Sequence, residues 1–339
     1  MHRAGKITGA IRWAAMAVIL AALPATMHAA ENGQASAGPP EKHGDFIGSE
    51  RCGDCHAAQF EHFKRTTMGK IFLRNPRTSL EKQGCEACHG PGAAHADSRG
   101  KIGLIRFTKN SLQPIELRND QCLQCHEKGN RMFWRGSTHE SRGVACTDCH
   151  QVHSEPSSVA ADRFQEPLSE NRQFVKATQM EVCFQCHQMR RAQLQRSSHM
   201  PFREGKVTCT SCHNPHGTPN PKLLIEATVN ETCYKCHAER RGPFLWEHPP
   251  VMENCLNCHD AHGSTNPTLL KARAPRLCMQ CHDVSGHNSD PLALSPNPPR
   301  ISANQQISTR AIRVINRSCT NCHSQIHGSN HPSGSRYLR

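Results

Sequence analysis

The chain has 339 residues, of which 36% are hydrophobic, 5% aromatic and 20 are cysteine. Its mean hydropathy is −0.65, and with 11 Phe, 3 Trp and 2 Tyr it lacks the bulky side chains that two ordinary domains of this length would bury. A formal charge of +13 points first to an anionic partner, nucleic acid or membrane surface, while 20 cysteines and 24 histidines point to bound groups that replace a side-chain core.

The N-terminus carries Arg3, Lys6 and Arg12 with no acid, then an apolar run of 11 residues from Trp13 to Leu23, then small residues ending in Ala29-Ala30. This is the order of a secretory signal peptide, predicted over residues 1–30 with cleavage after Ala29 or Ala30. The run is shorter than the roughly 20 apolar residues of a spanning helix. Residues 31–50 form a lead segment. The expected mature protein is exported and carries no lipid anchor.

All 20 cysteines then fall into Cys-x-x-Cys-His, repeated ten times without exception. The first five copies are Cys52, Cys55 and His56; Cys85, Cys88 and His89; Cys122, Cys125 and His126; Cys146, Cys149 and His150; and Cys183, Cys186 and His187. The second five are Cys209, Cys212 and His213; Cys233, Cys236 and His237; Cys255, Cys258 and His259; Cys278, Cys281 and His282; and Cys319, Cys322 and His323. This is the attachment signature of c-type haem. Two thiols three residues apart lie on one side of a helical turn and add to the two haem vinyl groups. The adjacent histidine reaches the iron as proximal ligand. Half a zinc site, a redox dithiol or a disulfide framework would account for cysteine pairs, but not for a histidine after every pair. Ten covalent haems c are therefore expected.

The remaining histidines supply the opposite axial position. The ten intervals after the motifs hold His62, His95, His139, His153, His199, His216, His248, His262, His287 and His327. His43 precedes the first motif, and His331 is a second histidine of the tail. After even-numbered motifs the histidine comes early; after motifs three, five and seven it comes 13, 12 and 11 residues on. The even type repeats more text: HNPHGTPNPKLL at 213–224 and HDAHGSTNPTLL at 259–270. Five two-haem modules are thus predicted within a decahaem domain spanning 51–335, at roughly 51–120, 121–180, 181–230, 231–275 and 276–335. In the first interval, Thr66-Thr67-Met68 stands where later intervals have Ser137-Thr138-His139 and Ser197-Ser198-His199. Met68 and His62 are alternative distal ligands for the first haem; a methionine there would raise that haem's potential.

The predicted fold is a multihaem cytochrome c: mainly short α-helices and irregular loops wrapped around a linear chain of ten haems, with little or no β-sheet. Gly and Pro punctuate the intervals, and no stretch alternates as a strand would. The longest interval, 283–318, reads as a wrapping loop.

Ten six-coordinate haems conduct rather than catalyse, and no catalytic residue is assigned. Every motif ends in histidine, without the lysine that marks the open haem of multihaem nitrite reductases, and neither Tyr234 nor Tyr337 sits where a hydroxylamine-oxidising enzyme places its cross-link. The ten motifs, the signal peptide and the length resemble the periplasmic decahaem cytochromes of the MtrA/DmsE/PioA family. TTMGK at 66–70, GCEACHGPGAAH at 84–95, GSTHE at 136–140, VACTDCHQVH at 144–153 and CTNCHSQIHGSN at 319–330 carry the likeness over roughly 45–335.

That resemblance implies a periplasmic electron-transfer protein associated with the outer membrane. Its partners would be a β-barrel porin, a surface multihaem cytochrome or extracellular iron or metal oxide, and small periplasmic carriers. Extracellular electron transfer, as metal reduction or Fe(II) oxidation, would be its use. Two other readings stand beside it: a multihaem redox enzyme acting on a nitrogen or sulfur oxyanion, and an electron donor to an outer-membrane DMSO-type reductase. The charge fits the haem reading. Loss of the three signal-peptide cations leaves +10. Ten haems with two propionates each bring about −10 oxidised and −20 reduced. The excess Lys and Arg are then partners for propionates, and no nucleic-acid partner is expected.

Overall fold

In a computed structural model the described residues are 44–153, 174–199, 202, 204–282, 319–332 and 334–337. They belong to one unit, Glu41–Arg339. The signal peptide, His43, His287 and the interval 283–318 lie outside the described residues.

Local sequence gives short elements because every few residues a motif, glycine or proline interrupts helical periodicity. The longest described helix, Ile115–His126, has 12 residues and ends on the third motif. Helices leading into motifs two, five and seven start at threonine caps: Thr78, Thr178 and Thr228 accept from the backbone N–H of Glu81, Glu181 and Glu231. Motifs six, eight, nine and ten occupy single 3-10 turns, such as Cys209–Ser211 and Cys255–Asn257. Strand content among the described residues is limited to isolated bridges, including His213 with Leu224 and His259 with Leu270. The expected helix-and-loop fold is what the chain adopts.

Side-chain cores are small. The hydrophobic cluster is Met180, Phe184, Leu194 and Phe202. Polar clamps hold the motifs together instead. Asn119, three residues before Cys122, donates to the Val144 carbonyl (3.1 Å) and accepts from Cys146 N–H (2.9 Å). Asn230, three before Cys233, repeats this with the carbonyls of Val251 and Met252 (2.9 and 3.0 Å) and Cys255 N–H (2.8 Å). Ser49, three before Cys52, accepts from Cys85 N–H (3.1 Å). Gln179 does the same for Thr210 N–H, at 3.3 Å. In four successive motif pairs, therefore, a buried polar side chain from the odd motif's approach caps the start of the even motif. Asn230→Leu leaves one buried donor and two carbonyls without partners, so it is expected to cost about 1–3 kcal/mol. Thermal unfolding of the holoprotein, compared with exposed Asn257→Leu, measures it.

The modules join through a second repeated contact. Gly217, Gly263 and Gly328 each follow an early histidine, and each has positive φ (108°, 136° and 134°). A Cβ at these positions would collide with the Phe133 carbonyl, the Gln193 carbonyl and the Phe244 ring, respectively. Adjacent bridges, Ser197 with Ser264 and Trp246 with Ser329, secure two of the three contacts. The interval after motif six thus lies on the interval after motif three, eight on five, and ten on seven. That is the nearest-neighbour stacking of a linear repeat. No helix among the described residues is long and apolar enough to cross a membrane.

Candidate haem sites

In nine motifs the motif histidine N–H donates to the carbonyl of the first cysteine, at 2.9–3.1 Å, and in the third motif Cys122 and His126 stand in the same relation within the helix Ile115–His126. The turn brings both sulfurs to one side with the imidazole beside them. None of the 20 cysteines is in a disulfide. Among the described residues no group of three or more His, Cys, Asp or Glu is arranged around a metal position, as a zinc site would require.

Consecutive motifs touch through alternating cysteines. The first cysteines lie close enough within pairs to perturb one another's thiols: Cys52 and Cys85, Cys122 and Cys146, Cys233 and Cys255, and Cys278 and Cys319. Between pairs, burial and the field of the next motif's cysteines raise the second thiols: Cys88 by Cys125, Cys149 by Cys183 and Cys186, Cys212 by Cys236, and Cys258 by Cys281. Each attachment point is therefore flanked by the next one along the chain. Cys55 and Cys322 are the second cysteines of the first and last motifs and stand at the two ends of this alternation; they share their exposure with Cys125, Cys186, Cys236 and Cys281.

The histidines pair across gaps of one size. His56 faces His95 and His89 faces His153, both with ring centroids 6.3 Å apart. His187 faces His139 at 6.3 Å and His237 faces His199 at 5.9 Å. His150 with His216, His213 with His262, His282 with His248, and His259 with His327 are all 6.1 Å apart. Eight motif histidines each face one histidine from an interval. Imidazoles in direct contact would approach to about 3.5–4 Å. Two rings that share one iron sit farther apart: about 2 Å for each metal–nitrogen bond and roughly 1 Å from each nitrogen to its ring centre give ~6 Å. The observed gaps match the second geometry.

The donor chemistry fits as well. Nδ1 of His89, His95, His139, His213 and His259 lies 2.7–2.8 Å from a backbone carbonyl, leaving Nε2 for a metal. The carbonyls serving His213 and His259 come from Lys222 and Thr268, both held at positive φ (59° and 54°) in the repeated Asn-Pro-x-Leu-Leu text. Strained backbone at two corresponding places serves the same orienting bond. Burial lowers the pKa of His216, His262 and His327 to about 4, so each ring is neutral at pH 7 and keeps a lone pair for a metal. Arg118 is buried to 6% exposure with an unpartnered Nε, and the Trp134 indole N–H is likewise buried without an acceptor. Among the described residues Arg118 has no carboxylate partner; a propionate would satisfy it.

These sites define a multihaem c-type cytochrome. Residues 199–242 and 248–287 match the doubled CXXCH motif family, and residues 85–166 match the family of NrfB-like cytochrome c-type proteins. The chain is 42% identical over 290 residues to the multihaem cytochrome MtrA of Shewanella baltica, covering 85% of this chain and 80% of that one. It belongs to the MtrA family of multihaem cytochromes.

The ring opposite His56 belongs to His95, at the first motif where the sequence offers Met68 or His62. Sequence reading could not assign intervals to motifs. In the pairs, the early histidines His153, His216, His262 and His327 face the motif two back, His95 faces the motif one back, and the late histidines His139, His199 and His248 face the motif two ahead.

Ring orientation divides the sites. Six pairs have planes within 12–27° of parallel, whereas His187 with His139 and His237 with His199 are at 62° and 65°. Parallel rings donate to the same iron d orbital and split the d pair; rings turned apart split it less. Two strongly anisotropic low-spin EPR signals are expected from motifs five and seven, and rhombic signals from the others. His139→Ala should remove one anisotropic signal; loss of a rhombic signal instead would reject the assignment.

Proposed function

We propose that the chain carries ten haems c and serves as a periplasmic electron conductor, joined to a β-barrel porin and passing electrons across the outer membrane. The motif cysteines, from Cys52 and Cys55 to Cys319 and Cys322, carry the thioethers, and the ten motif histidines His56 to His323 are the proximal ligands. His95, His139, His153, His199, His216, His248, His262 and His327 are the distal ligands for eight haems, and His287 is assigned to the tenth. The observation that carries this reading is the set of eight histidine pairs with ring centres about 6 Å apart. An iron between two imidazoles has no open position for substrate, so it changes oxidation state with little change in ligation. Neighbouring cysteines then put successive redox centres side by side.

A hydrocarbon layer about 30 Å thick calls for a series of centres, and a slender repeat suits the polar lumen of a barrel. Outside, a surface cytochrome, soluble iron or a metal oxide would exchange electrons; inside, small periplasmic carriers would. Proteoliposomes loaded with reduced viologen test the proposal. External Fe(III) is expected to oxidise the viologen only when porin and cytochrome are both present. Equal oxidation with porin alone would reject the conduit. Carbon monoxide bound tightly by several reduced haems of the native protein would favour an oxyanion-reducing enzyme instead.

A further inference from the structure

The pairing pattern leaves one interval and one motif to each other. Late residues serve the motif two ahead: interval three serves motif five, five serves seven, and seven serves nine. The same step carries interval one to motif three, whose histidine, His126, faces no histidine ring among the described residues. Interval one offers His62 and Met68.

Local structure selects between them. Ser137 caps the helix Thr138–Ser141, its hydroxyl accepting from Glu140 N–H, and the ligand-position residue His139 is the second residue of that helix. Thr66 caps the helix Thr67–Arg74 in the same way, accepting from Gly69 N–H at 2.9 Å, and Met68 is the second residue there. Cap, helix start and offset coincide. Gly69 fixes the placement, because a Cβ on it would collide with the Phe63 carbonyl of the preceding helix, Ala57–Arg65. His62 lies inside that preceding helix, away from a capped helix start. His248 departs from the capped register, standing as the cap residue itself before Pro249–Glu253. The offset therefore rests on the hydroxyl-led intervals.

We infer that Met68 is the distal ligand of the haem held by His126, giving the third motif a histidine–methionine haem among bis-histidine sites. The inference rests on the haem ligation proposed above. A thioether sulfur is a weaker donor than imidazole and favours the reduced iron, so this haem would hold the highest potential of the chain. An electron entering the N-terminal modules would pause there.

The test uses the intact oxidised holoprotein. A far-red sulfur-to-iron charge-transfer band with the intensity of a single haem is expected, together with one component titrating above the rest. Met68→His should abolish the band and lower that component while the mass stays unchanged apart from the substitution. His62→Ala should keep both. Absence of the band from the native protein, its survival in Met68→His, or its loss in correctly loaded His62→Ala would each overturn the inference. A mass short of ten haems would count against the decahaem reading, and leave the band to decide Met68.

Discussion

His262→Ala is expected to leave haem attachment intact and to turn one low-spin iron high-spin. Attachment depends on Cys209, Cys212 and the proximal His213, none of which the substitution touches. What it removes is the ring 6.1 Å from His213, held by an Asx turn in which Asp260 accepts from His262 N–H at 3.1 Å. The vacated side would then admit a ligand. Reduced protein should take up one equivalent of carbon monoxide, changing about one tenth of the Soret amplitude. The potential of that haem should move, and passage of electrons through the sixth motif should slow because its iron now changes ligation with oxidation state. Mass spectrometry separates this outcome from failed maturation. Unchanged carbon monoxide uptake in fully loaded protein would show that His262 is not an axial ligand. The same substitution at His216 or His327 is expected to act alike at motifs four and eight, since all three rings are half-buried and precede a positive-φ glycine whose N–H donates to the carbonyl three residues back.

How far the sequence speaks differs between the two shells of each site. The attachment residues were legible outright, because thioether chemistry demands a contiguous five-residue pattern. The alternation of early and late histidines was also legible. Their destinations were not, because a distal ligand is delivered by stacking of one module on another, over 34 to 68 residues of chain. The polar clamps were partly visible: Asn119 and Asn230 both stand three residues before a motif cysteine. Ser49 and Gln179 perform the job with other groups and, for Gln179, another offset. A single sequence cannot show that these are equivalent; only their shared acceptance from the next motif's backbone does. Met68 was visible as the odd residue in a repeated place, yet nearness in sequence attached it to the first motif. The shift by two motifs is a property of the stack.

That stack depends on close backbone approach, and Gly263→Ala tests it. Gly263 has φ +136°, and a Cβ there would strike the Gln193 carbonyl, beside the Ser264 N–H to Ser197 carbonyl bond of 2.9 Å. Two penalties combine: backbone strain of about 1–3 kcal/mol, and displacement of a packed neighbour at about 1–3 kcal/mol. Gly136 separates them. Its φ is +78°, but a Cβ there would have nothing within 4 Å, so Gly136→Ala incurs the strain alone. Holoprotein melting is expected to fall roughly twice as far for Gly263→Ala as for Gly136→Ala. Because a repeat array is held by nearest-neighbour contacts, the damage should be local. His262 precedes Gly263, so a high-spin fraction at the sixth motif should appear below the global transition in this variant and not in Gly136→Ala. Equal melting shifts without such a fraction would mean that the contact between the fifth and eighth intervals contributes no stability, and that the modules are held together by the haems and clamps alone.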